Sequence, residues 1–163
     1  EEKKSGTLEL LMTRPIKESE IVIGKYLAAA TVLLVMIIPT FIYGIIIFRL
    51  GTGVDLLPMI TQYGGVFLIG LSFLSLGLFA SSLTENQIVS AVISFTFVLI
   101  MWLLSWITGS LGADNPIRYF AIQSHFEDLD KGVVDMRDIV FYVSFIFFWL
   151  FMSIRVIDSK RWA

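Results

Sequence analysis

Four long apolar runs order the chain. The first, 26–48, carries no charge and is flanked by Lys25 and Arg49. As a helix rising about 1.5 Å per residue it reaches about 35 Å, enough to cross a hydrocarbon core of roughly 30 Å. Pro39 lies inside it and predicts a kink, which a membrane helix tolerates when neighbouring groups satisfy the freed carbonyl. The second run lies between Asp55 and Glu85, with its core over 63–82 and Leu56, Leu57 and Met59 as an interfacial lead. The third lies between Glu85 and Asp114, with its core over 88–108. The fourth covers 139–157, and Arg155 in its last turn is placed to snorkel to the headgroups. The pattern predicts an all-α, polytopic helical membrane protein with four transmembrane helices and one membrane domain over 1–163.

The connections between the runs set the topology. Gly51-Thr52-Gly53 makes a short loop, Leu83 to Gln87 a tight turn, and 113–138 a longer polar segment. In that segment Ile117, Phe120, Ala121 and Ser124 recur at helical spacing, which suggests an interfacial helix. Four spans put both tails on one side. The tails hold Lys3, Lys4, Arg14, Lys17, Lys25, Arg155, Lys160 and Arg161, and the opposite side holds Arg49, Arg118, Lys131 and Arg137. Cytoplasmic loops carry the excess of Lys and Arg, so both tails are expected in the cytoplasm and 113–138 outside. Tyr26, Tyr63, Trp102, Trp106, Tyr119, Tyr142 and Trp162 fall mostly near the expected interfaces, where amphipathic rings are favoured.

Composition agrees with the runs. Of 163 residues, 56% are apolar and 16% charged, and the mean hydropathy is +0.83. Soluble domains carry about 25% charged residues. The formal charge of −2 gives no reason to expect nucleic acid. There is no cysteine, which excludes disulfides, thiolate metal sites and Cys nucleophiles. Apart from Arg155, the four span cores contain no Asp, Glu, His, Lys or Arg. Ion-coupled carriers and intramembrane proteases need such groups, so both are disfavoured. Neither G-x-x-x-x-G-K-[ST] nor G-x-G-x-x-G occurs, so any ATP is bound by another subunit. The one histidine, His125, lies in Ser124-His125-Phe126-Glu127-Asp128 and is read as a solvated loop residue. Asp128, Asp130, Asp135 and Asp138 lack the spacing and glycine of an EF-hand. No catalytic, metal or cofactor site is expected.

Small residues are candidates for helix packing. Gly70, Gly77 and Ser81 are seven and four residues apart, on one face of the second span. Packing within the chain and a dimer seam or transport path fit that spacing equally.

The segment 1–25 reads EEKKSGTLELLMTRPIKESEIVIGK. Leu8, Leu11 and Met12 form an apolar stripe at i, i+3 and i+4, Thr7 is a candidate N-cap, and Pro15 ends the helix. This is an amphipathic interfacial element, either a surface anchor or a docking element for a cytoplasmic partner. The run resembles the ABC-2 permease pattern of paired acids, then G-T-L-E-L-L, T-x-P and E-I-V-x-G-K. The stretch 81–89 resembles that group's S-S-L-T-x-N-Q turn. The stretch from Ser124 to Trp162 resembles its S-H-F-E…G-V-x-D-x-R-D…S-R-R-W ending, with Lys160 in place of an Arg and Ala163 after the Trp. The combination is most similar to the gliding-motility-associated permeases.

The resemblance implies six spans, two of them ahead of Glu1, so that the chain is a fragment holding spans three to six. It implies pairing with an ATP-binding cassette subunit and with a second permease copy or related permease, in the lipid of a bacterial inner membrane. It also implies that Glu1, Glu2, Gly6, Thr7, Leu8, Glu9, Leu10, Leu11 and Pro15 form the coupling interface with the ATPase. Two rival readings stand beside an ATP-driven exporter. One is a non-transporting component that binds an ATPase and acts mechanically on an envelope complex. The other is an intramembrane enzyme, for which Ser72, Ser75 or His125 would be the residues to test.

Overall fold

In a computed structural model of the chain, residues 17–51, 55–110 and 122–161 are described. They form helices and contain no strand, and four helical stretches are long and apolar enough to cross a membrane. The all-α polytopic expectation therefore holds.

The first stretch is bent. Helix α1 (Glu18–Ile37) starts where the Glu20 carboxylate accepts the Lys17 backbone N–H at 3.3 Å. Pro39 cannot continue an α-helical ladder. The chain instead takes a 310 turn over Ile38–Thr40 and resumes as α2 (Phe41–Leu50). The Thr40 hydroxyl satisfies one of the loosened carbonyls by donating to Ile37 O at 2.6 Å.

Helix α3 (Leu56–Leu83) is continuous and begins seven residues before the apolar core of the second run. Pro58 lies in its first turn, where a missing N–H costs nothing. Asn86 closes the turn that follows. Its backbone N–H donates to the Thr84 hydroxyl at 3.2 Å, and its side-chain oxygen accepts Ile88 N–H at 3.0 Å. It thereby caps α4 (Gln87–Ser110) by satisfying a first-turn donor. A short 310 turn (Ile122–His125) leads into α5 (Phe126–Asp130) and then α6 (Met136–Arg161). Asp135 caps α6, its carboxylate accepting Arg137 N–H at 2.9 Å.

Helix α3 is the centre of the bundle and packs on α1, α4, α5 and α6. Ser72, Ser75, Leu76 and Ala80 on it are fully buried. Small residues matter here because lipid tails are as apolar as the helices, so packing depends on close backbone approach. The serine hydroxyls stay satisfied by donating within α3, Ser72 to Leu68 O at 2.9 Å and Ser75 to Ser72 O at 2.7 Å. The Tyr26 hydroxyl ties α1 to α3 by donating to Leu71 O at 3.2 Å. Trp149 of α6 packs on Phe79 of α3 and Phe97 of α4, with centroids 4.8 and 6.0 Å away. Its indole N–H is buried with no hydrogen-bond partner among the described residues. Large apolar side chains such as Val35, Phe95 and Phe147 cover the outside of the bundle, as a lipid-facing surface requires.

Asn86→Ala should lower the stability of the bundle by about 0.5–2 kcal/mol, the usual cost of a lost cap. Asn86→Asp, which keeps the acceptor, should lose little. Thermal unfolding in detergent, compared across the two variants, checks the order.

Candidate functional site: a strap seated on helix α3

The candidate coupling residues Glu1, Glu2, Gly6, Thr7, Leu8, Glu9, Leu10, Leu11 and Pro15 lie outside the described residues. Most of the interfacial helix expected around Ile117 and Phe120 lies outside them too. The three packing candidates on α3 meet different surroundings. A Cβ at Gly70 would lie 2.6 Å from Leu33 Cδ2 of α1, so the glycine admits that side chain. A Cβ at Gly77 would meet only Ser94 Oγ of α4, at 3.8 Å. Ser81 is exposed.

Among the described residues, a polar cluster lies where α3 and α6 begin, and there residues 122–135 cross the ends of these helices as a strap. Four α3 residues on one helical stripe hold it. Pro58 packs against Gly132, where a Cβ would lie 3.0 Å from the proline ring. The Thr61 hydroxyl donates to Leu129 O at 2.7 Å, and the Gln62 amide donates to the Asp130 carboxylate at 2.7 Å. Gly65 lies under the Phe126 ring, which a Cβ would meet at 2.7 Å. Gly132 turns the strap back with φ +82, a conformation that side chains resist. Ile122 and Leu129 are buried and pack with Phe126 against Leu68 and Phe73 of α3 and Met101 of α4.

The strap is joined to α6 by a buried histidine–carboxylate contact. His125 Nδ1 lies 2.7 Å from Asp138 Oδ1, and both side chains are nearly inaccessible. The imidazole stacks on Phe141 at 4.0 Å between centroids. Tyr142 is fully buried beneath, and its hydroxyl donates to Ile122 O at 2.9 Å. Asp138 Oδ2 has no hydrogen-bond partner among the described residues. Buried pairs offset their desolvation only when the remaining oxygen sites are filled. An unfilled one costs about 1–3 kcal/mol. The pair therefore fixes the geometry of the strap while contributing little net stability.

This corrects the solvated reading of His125, which is buried. Its partner is thirteen residues away, brought back by the Gly132 turn and the Asp135 cap. Asp138 also looked like a loop residue just outside the fourth apolar run, yet α6 already starts at Met136. There it stands in the first turn, where the helix dipole favours a carboxylate. A usable signal was present in the pattern D-x-x-D ahead of an apolar run, which reads as a cap followed by a first-turn acid. Among the described residues no group of three or more His, Cys, Asp or Glu could hold a metal ion.

A four-span helical bundle with a lipid-facing exterior and an end strap defines a multi-pass membrane protein. Residues 1–154 match the model of the ABC-2 family transporter protein family, and the chain belongs to that family. It is thus a membrane component of an ABC transporter, a kind of subunit that pairs with an ATP-binding cassette subunit. No curated protein and no solved structure matches the chain.

His125→Ala should destabilise the fold by about 3 kcal/mol or more, because it leaves Asp138 buried and unpaired. The double variant His125→Leu, Asp138→Leu should lose less than His125→Ala alone. Unfolding midpoints of the single and double variants measure this, and additive losses would show that the pair is not coupled.

Proposed function

We propose that the chain is the permease part of an ATP-driven ABC-2 exporter, coupling hydrolysis in a partner subunit to movement of a substrate across a bacterial inner membrane. The observation that carries the reading is the family match over 1–154, which includes the amphipathic segment with G-T-L-E-L-L. Glu1, Glu2, Gly6, Thr7, Leu8, Glu9, Leu10, Leu11 and Pro15 would dock in the ATPase. Leu8 and Leu11 would supply apolar contact and the acids would supply orientation. Nucleotide-driven movement of this segment would pass into α1, and the spans would rearrange between two states.

The orientation follows from charge. Eight of the twelve Lys and Arg residues lie on the tails. Both tails would therefore face the cytoplasm and the strap would face outward. Span cores without acids or bases, apart from Arg155 in the last turn of the fourth, leave the driving energy to the ATPase. The S-H-F-E and G-V-x-D-x-R-D similarities favour the gliding-motility-associated group.

The test is to purify the full-length protein in mild detergent and identify its companions by mass spectrometry. An ATP-binding cassette subunit should be retained by the wild type and lost on Leu8→Asp, with membrane insertion unchanged. An ATPase retained equally by Leu8→Asp and Glu9→Lys would remove the coupling assignment. An ATPase that is bound without substrate flux would favour a mechanical, non-transporting component.

A further inference from the structure

The outer half of the first span and the strap share one seat. Pro58, Thr61, Gln62 and Gly65 hold the strap along one stripe of α3. Met59, Tyr63 and Gly70 lie on a second stripe, about 120° round the helix. All three touch the first span. Met59 fills the gap left by Gly44 of α2, where a Cβ would come within 2.9 Å of its sulfur. The Tyr63 hydroxyl donates to Thr40 O at 2.7 Å, at the end of the 310 turn that Pro39 imposes. The Tyr63 ring stacks on Phe41 at 4.1 Å and 15°. Gly70 receives Leu33.

The two sets interleave over two turns of one rigid helix. Pro58, Thr61, Gln62 and Gly65 alternate with Met59 and Tyr63, so neither partner can shift its seat without turning or tilting the other's. The partners also differ in stiffness. The first span is interrupted at Ile38–Thr40, the place where an apolar helix yields most readily. The strap's hold on α6 includes the His125–Asp138 contact, whose second carboxylate oxygen is unfilled among the described residues. The rod between them is unbroken from Leu56 to Leu83.

We infer that residues 58–65 of α3 couple the bend in the first span to the hold on the strap, with Tyr63 as the positioning residue. Bending α2 away from α3 withdraws Thr40 and Phe41 from Tyr63, and α3 then tilts from under Phe126 and Leu129. The strap loosens on the side away from the bend. Under the permease reading above, on which the transport meaning of this device rests, a pull on the segment before α1 reaches the outer face by this route. The coupling itself needs no ATPase.

That independence decides the experiment. The full-length protein is placed in lipid nanodiscs without its ATPase, and hydrogen–deuterium exchange is read over the amides of residues 122–135. Tyr63 makes no contact with the strap among the hydrogen bonds and ring contacts of the described residues. Tyr63→Phe keeps the ring and loses the hydroxyl, and should speed strap exchange on the order of threefold, with Tyr63→Ala faster still. Thr61→Val, which removes a contact of the strap itself, sets the scale.

Residues 1–163 contain no cysteine, and a disulfide between Gly44→Cys and Met59→Cys adds an opposite perturbation. Shortening Met59 makes room for the new side chain. Pinning α2 to α3 should slow strap exchange, and reduction should restore it. Strap exchange that responds to Thr61→Val but to neither Tyr63 variant nor the disulfide would overturn the coupling. Failure to find an ATPase would remove the transport reading and leave these exchange rates as they are.

Discussion

Helices in a bilayer gain nothing from hiding apolar side chains from each other, because lipid tails are equally apolar. They associate where backbones approach closely and where polar atoms find partners. In this chain both conditions are met on α3. Ser72, Ser75 and Ala80 keep its middle slim, and Gly65 and Gly70 let an aromatic ring and a leucine reach its backbone. Thr61, Gln62 and Tyr63, at the junction of the lead and the apolar core, each grip another element. The rest of the bundle is arranged around that rod. The first span and α4 expose most of their apolar surface, whereas α3 is the most buried of the four.

The strap adds a contrasting kind of bond. Its apolar residues pack as a small core, but its registry rests on polar contacts that lipid would penalise if they opened without water. His125 and Asp138 illustrate the balance. Their 2.7 Å contact sits under Phe141 and beside Tyr142, yet one carboxylate oxygen is left unfilled. A buried pair in that condition specifies where the strap lies more than it strengthens the fold.

The architecture was readable because long apolar runs leave little choice: each of the four became helical, the first with a break at Ile38–Thr40. Pro39 announced a break, and physics required some local adjustment there, but only the structure shows a 310 turn pinned by Tyr63. The residues ahead of the second core were read as an interfacial lead. Pro58 in a first turn permits the helix to start there, and the strap gives Thr61 and Gln62 a reason to be helical. The spacing of Gly70 and Gly77 put them on one face, but only at Gly70 does a neighbour, Leu33, come closer than a side chain would allow, and which neighbour arrives is set by tertiary arrangement. His125 was the clearest miss. A histidine among acids reads as solvated when its partner is remote in sequence, and nothing local reveals that Gly132 folds Asp138 back against it.

The central claim is that α3 is an unbroken rod that moves as one piece and through which the first span and the strap are held together. An experimental structure of the full-length protein with its ATPase in lipid nanodiscs, nucleotide-free and ATP-trapped, tests it most directly. The account predicts an unbroken helix over residues 56–83 in both states, with residues 41–50 and 122–135 changing position together. A strap that moves while Thr40 and Phe41 keep their places on Tyr63, or a helix α3 that breaks between 58 and 65, would contradict it.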